Sequence, residues 1–164
     1  MAIRNIVIKG DPALRKVCRA VDVFDPRLHM LLEDMADTLV QSKGVGLAAP
    51  QVGVLRRVVV IDKGENDIVE MVNPLVIHRE GEQVGMEGCL SVPGKYGIVK
   101  RPQKVVASYL DRHGHPKEIE AEDLIARAIC HECDHLDGKL YTDNVIRMLT
   151  QEEIDALERE KGDA

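Results

Sequence analysis

From Asp123 to Asp137 the chain reads DLIARAICHECDHLD, with no Gly or Pro, and Gly138 stands where a helix C-terminal cap belongs. One helix is predicted there, and the rest of the chain must fold around what it carries. His131 to His135 form an H-E-x-x-H pattern. At about 100° per residue, positions i and i+4 lie only about 40° apart around the axis, so both imidazoles can reach one metal ion from the same face. Glu132 projects about 100° from His131, beside that face, where it can accept a proton from a water on the ion without being a ligand. The string also arises by chance on solvated helices. Leu124 and Ala128, one and two turns earlier, argue instead for a partly buried pocket wall, where unpaired imidazoles would be costly.

A catalytic metal usually has three protein ligands and one open position, so two histidines leave it one short. Cys130 and Cys133 bracket His131, but they point about 120° and 180° away from the direction the histidines share. With no second C-x-x-C in the chain, both read as small residues on the back of the helix. Six residues after the second histidine, where metzincin peptidases have a third histidine, stands Tyr141. Glu152, Glu153 and Glu158 are available for a thermolysin-like site, without a supporting motif. Cys89, in MEGCLSVPG, is the stronger candidate because it lies in an extended segment beside a flexible Gly88. Taken alone, it reads more simply as a small buried residue.

The remaining sequence limits what such a site could serve. At 164 residues a single domain spanning 1–164 is expected. The chain has no Trp and one Phe, so Val, Ile, Leu and Met must fill the core and few platforms exist for stacking bases. A net charge of −6 works against phosphate contacts, which excludes direct sequence-specific nucleic-acid binding as an expectation. The opening MAIRNIVIKG has an apolar stretch only from Ile6 to Ile8, neither signal peptide nor membrane span. A cytoplasmic protein follows, in which four sparse cysteines stay reduced and free to bind metal.

Asp25 and Pro26 open a helix whose apolar residues Leu28, Leu31, Leu32, Met35 and Leu39 share one side, with Gly44 as its expected stop. Arg57 starts RVVVID, a β-branched run typical of a buried strand, and a second such run ends at Asn73-Pro74. Short β-prone pieces follow around Val84, Tyr96 to Val99 and Val105 to Leu110, and Gly114 can reverse a hairpin before Lys117 to Glu120. Thr150-Gln-Glu-Glu153 matches a capping box and begins a short terminal helix. Helices and strands are segregated, so the fold class is α+β with antiparallel sheet.

Three motifs together resemble those of peptide deformylases: GVGLAAPQ at Gly44 to Gln51, EGCLS at Glu87 to Ser91, and HECDHLDG from His131. The likeness extends from KGDPALRKVCRAV to HLDGKLYTD, nearly the whole chain. It implies antiparallel sheets surrounding the central H-E-x-x-H helix, and hydrolytic removal of the N-formyl group from formylmethionine at the start of nascent polypeptides. It implies one divalent ion, Fe2+ natively and replaceable by Zn2+, Ni2+ or Co2+, held by Cys89, His131 and His135. Glu132 is then the acid/base, and Gln51 with the Leu90 N–H holds the formyl oxygen. Gly46 would meet the substrate backbone, with Gly44 and Gly88 nearby, and Val45, Glu87, Leu124 and Ala128 would lie near the methionine pocket. The partners implied are N-formylmethionyl peptides, with transient association with the ribosome.

Some deformylases have an Arg shortly after EGCLS, whereas PGKYG here offers Lys95 and Tyr96. Arg127 falls about 60° from the histidine direction and reads as outward-facing. Asp134 can pair with an Arg such as Arg101 to fix the helix. Two rivals remain: a zincin-type metallopeptidase, which needs a carboxylate in place of Cys89, and a metal-binding relative without activity.

Overall fold

The computed structural model describes residues 2–162, and the elements that position the histidines follow from local chemistry. Helix α1, Pro26–Ser42, starts where the Asp25 carboxylate accepts from the Leu28 N–H at 3.0 Å with Pro26 in the first turn. It stops one residue before the expected glycine. Lys43 itself takes the left-handed conformation (φ 56°) and its N–H closes on the last turn.

Strands β1 (Gly46–Ala48), β2 (Val58–Asp62), β3 (Ile68–Glu80), β6 (Lys104–Leu110) and β7 (Pro116–Glu122) form a five-stranded sheet in the order β1-β2-β3-β6-β7. β4 (Gln83–Cys89), β5 (Val92–Arg101) and β8 (Val145–Met148) form a three-stranded one in the order β4-β5-β8. Every pairing within both sheets is antiparallel. The uninterrupted apolar run in β2 has a cause. Val58 and Val60 pack into a cluster with Leu28, Leu32, Met35 and Leu39 of α1, while Val59 and Ile61 pack into another with Ala126, Ile129 and Cys130. A strand covered on both faces cannot alternate with polar residues.

The second cluster contains helix α2, Asp123–Leu136, which lies on the sheet face opposite α1. Its other side meets β4, β5 and the Tyr141–Asp143 turn, so α2 is held between the two sheets. α2 ends at Leu136 with Asp137 as its cap, and Gly138 follows with φ 75°. Gly114, with φ 83°, turns the β6–β7 hairpin. Terminal helix α3, Gln151–Gly162, carries the expected capping box: Thr150 Oγ1 accepts from the Glu153 N–H at 3.2 Å, and Glu153 Oε1 accepts from the Thr150 N–H at 3.0 Å.

One boundary differs from expectation. β3 does not end at Asn73-Pro74 but continues to Glu80 through a register shift between Val72 and Leu75. Asn73 adopts φ 50°, and its side chain bonds both the N–H and the carbonyl of Val21, at 2.8 and 2.9 Å. Those contacts replace ladder bonds that the proline cannot make.

Candidate metal centre

Three stretches of chain converge on one face of α2. The first is β1 and the following 3-10 turn, Ala49–Val52, which supplies Gln51. The second is the end of β4, which supplies Glu87 and Cys89, and the third is α2 itself. His131 Nε2 lies 3.2 Å from His135 Nε2, and Cys89 Sγ lies 3.3 Å from that same His135 nitrogen. The Cys89 sulfur and one nitrogen from each ring all fall within 4.8 Å of one another, the single such group of metal-binding atoms among the described residues. Glu152, Glu153 and Glu158 take no part in it. Glu153 is instead paired with Arg147 at 2.8 Å.

The group fits a cation. His131 Nδ1 meets the Glu87 carboxylate at 2.5 Å, which fixes the ring and turns Nε2 toward Cys89 and His135. Burial alone would lower the His131 pKa, but the charge of Glu132 and the contacts with Cys89 and Glu87 reverse this and hold it well above its ordinary value. His135, by contrast, is pushed down to about 3 by burial and by the positive charge on His131. The pocket thus favours positive charge at this point, and one sulfur with two imidazole nitrogens suits a borderline divalent ion such as Zn2+, Fe2+ or Ni2+.

Glu132 is buried, with Oε1 4.0 Å from His135 Nε2 and without a hydrogen-bond partner among the described residues. Burial pushes it up to about 7, against the opposing charge of His131, so its carboxyl can both accept and release a proton near neutrality. Gln51 is held by its own turn, its Oε1 accepting from the Ala48 N–H at 2.9 Å. Its amide nitrogen donates to Ser91 Oγ at 3.1 Å and, more weakly, to Cys89 Sγ at 3.5 Å.

A cavity of about 420 Å³ opens beside these groups. Its walls include Gly44, Val45, Gly46, Gln51, Glu87, Gly88, Cys89, Leu90, Leu124, Ala128, His131 and Glu132; His135 lies behind them, fully buried. Leu124 is more than half exposed and sits at the mouth, whereas Ala128 is buried in the wall. Lys95 and Tyr96 also reach this cavity, in the region where a basic residue was in question.

Arg127 corrects the sequence reading. It does not face outward: it is buried, donates to Glu87 Oε2 at 2.8 Å and to the Val99 carbonyl at 3.2 Å, and lines the cavity. Arg101 reaches the same carboxylate at 2.6 Å and, as expected, Asp134 at 2.7 Å. The His131 contact and the Arg101 guanidinium hold Glu87 at about 2 despite its burial. Sequence reasoning missed this triad and also the stacking of Tyr141 on His131, with ring centroids 6.0 Å apart. Cys130 and Cys133 are free thiols in the core behind α2.

The family model for polypeptide deformylase matches residues 3–151. The chain belongs to the polypeptide deformylase family. A peptide deformylase of Caldanaerobacter subterraneus subsp. tengcongensis is 56% identical over 157 residues, covering 96% of this chain and 98% of the relative. Among solved structures, a peptide deformylase from Legionella pneumophila superposes with a TM-score of 0.84 at 42% identity, covering 98% of both chains. One from Thermotoga maritima gives 0.85 at 37% identity, over 88% of this chain and 99% of that one. Deformylases are metal-dependent enzymes that remove the N-formyl group from nascent chains, and that is the activity of this chain. Among the described residues no helix is long and apolar enough to cross a membrane.

Proposed function

We propose that deformylation is carried out at the Cys89–His131–His135 group, with these three residues as ligands to an Fe2+ ion that Zn2+, Ni2+ or Co2+ can replace. The observation that carries this reading is the convergence of one sulfur and two ring nitrogens from separate segments beside an unpartnered buried carboxylate. When bound, the ion supplies Lewis acidity, lowering the pKa of water and polarising a carbonyl oxygen. Glu132 takes a proton from the attacking water and returns it to the leaving amine nitrogen. Its pKa near neutrality suits both transfers. As the formyl carbon becomes tetrahedral, the Gln51 amide gives up its weak contact to Cys89 Sγ and donates to the developing oxyanion, beside the Leu90 N–H.

The formylmethionine side chain would enter the cavity between Val45, Leu124 and Ala128, with Gly44, Gly46 and Gly88 admitting the peptide backbone. Glu87 lines that cavity, but its carboxylate is engaged by His131, Arg101 and Arg127, which supports a positioning role rather than contact with methionine. We read residues 1–164 as one catalytic domain, cytoplasmic, acting on nascent peptides during transient association with the ribosome. Direct sequence-specific nucleic-acid binding is not part of this reading, given the net charge of −6.

The test is formate release from a formyl-Met-Ala-Ser peptide, with metal content measured in the same sample. Glu132→Gln should retain the ion and lose about 10²- to 10⁴-fold in kcat, the usual contribution of a positioned acid/base. An active Glu132→Gln variant, or Cys89→Ser protein with undiminished metal, would refute the assignment.

A further inference from the structure

Five of the chain's six histidines fall into two groups, and only His131 and His135 belong to the metal centre. His29, in the first turn of α1, meets His113 on the turn between β6 and β7, and His113 in turn neighbours His115. The His29 and His113 ring centroids are 5.4 Å apart with the planes at 81°, and those of His113 and His115 are 6.1 Å apart. His131 and His135, for comparison, are 4.9 Å apart.

Two of the three rings are already oriented from behind. His29 Nε2 lies 2.9 Å from the Arg112 carbonyl oxygen. A carbonyl only accepts, so Nε2 donates there and Nδ1 is the nitrogen left to face an ion. His115 Nδ1 faces Asp111 Oδ2 at 3.6 Å, which likewise leaves Nε2 free. Asp111 is itself pinned, its Oδ1 accepting from the backbone N–H groups of His113 and His115 at 2.9 and 3.0 Å. An imidazole whose second nitrogen faces a carbonyl or carboxylate is the usual arrangement for a metal ligand.

We propose that His29, His113 and His115 take up a second divalent cation of the zinc, nickel or copper class, outside the catalytic centre. Imidazole donors select these ions over Mg2+ or Ca2+. The three ring nitrogens do not yet converge. His113 and His115 are exposed and so free to turn about their side-chain torsions, and binding would require them to swing onto His29, the anchored member. The ion would tie the β6–β7 hairpin to the start of α1, two elements distant in sequence.

Calorimetric titration of Zn2+ into protein already carrying one ion per chain tests this. A second equivalent should bind to the wild type, and His113→Ala or His29→Ala should weaken it by about tenfold or more. His78→Ala, which removes the one histidine outside both groups, should leave it unchanged. Retention of the first ion and of the circular dichroism spectrum shows that each variant is folded; His113→Asn serves if His113→Ala is not. Substoichiometric Cu2+ should broaden the ring resonances of His29, His113 and His115 ahead of His78. No second equivalent, one indifferent to His29→Ala and His113→Ala, or one lost in His78→Ala would overturn the proposal.

Discussion

Glu87 shows how one side chain can set the chemistry of residues it does not resemble. Its two oxygens meet His131, Arg101 and Arg127, so a single carboxylate from β4 fixes a ring on α2 and pairs with two buried guanidinium groups. Replacing it by Gln keeps the shape but removes the charge and one acceptor toward His131. Metal affinity should fall about 10- to 100-fold, the range for losing an outer partner of a ligating histidine, as read by competition with a chelator. Unchanged affinity would mean the ring is oriented by Tyr141 stacking alone. Gly46 constrains the site sterically. A Cβ there would stand 2.7 Å from Glu132 Oε2 and 2.8 Å from Cγ. Gly46→Ala should therefore displace the carboxylate, lowering kcat by about 10²-fold while metal content stays at one ion per chain. Formate release and metal analysis on one preparation separate the two effects.

Individual elements were legible where their signals are local. Asp25-Pro26, the Thr150 to Glu153 capping box, Gly114 and the unbroken run to Asp137 each act through neighbours a few residues away, and each marks the element or turn it was expected to mark. The failures have distant causes. β3 passes through Asn73-Pro74 because Val21, 52 residues away, satisfies the Asn73 side chain. Arg127 turns inward because Glu87, 40 residues away, gives its charge a partner; helical counting sees the angle but not the carboxylate. The candidate Cys89–His131–His135 group was legible in part: spacing placed the histidines on one face, and the extended, Gly-flanked segment made Cys89 the stronger third candidate, although taken alone it read more simply as a small buried residue. Because the α3 cap is local, its removal should be local too. Thr150→Ala should destabilise α3 by about 1 kcal/mol and speed amide exchange from Gln151 onward, leaving formate release unchanged. Exchange accelerating across α2 as well would show that α3 braces the core.

At the scale of the molecule, α2 is the shared wall of two sheets, and the proposed ion lies on the side facing the smaller one. Cys89 ends β4 of the three-stranded sheet, whereas His131 and His135 project from a helix that packs on the five-stranded sheet. Besides the ion, the Glu87–Arg127 and Arg101–Asp134 ion pairs and the Tyr141 stack join these parts. An unfolded chain cannot present three donors spread over residues 89–135 at one point, so binding favours the folded state by RT ln(1 + [M]/Kd). At a free metal concentration of 100 Kd that is about 2.7 kcal/mol, or roughly 5–10 °C in Tm for a chain of this size. Chelation should therefore lower the calorimetric Tm by that amount and re-addition of the metal should restore it. Cys89→Ser should shrink the difference, because the strand side of the clasp is weakened while both histidines stay on one helix. If the Tm of wild-type protein were the same with and without chelator, the ion would not be joining β4 to α2, and Cys89 would have to be removed from the ligand set.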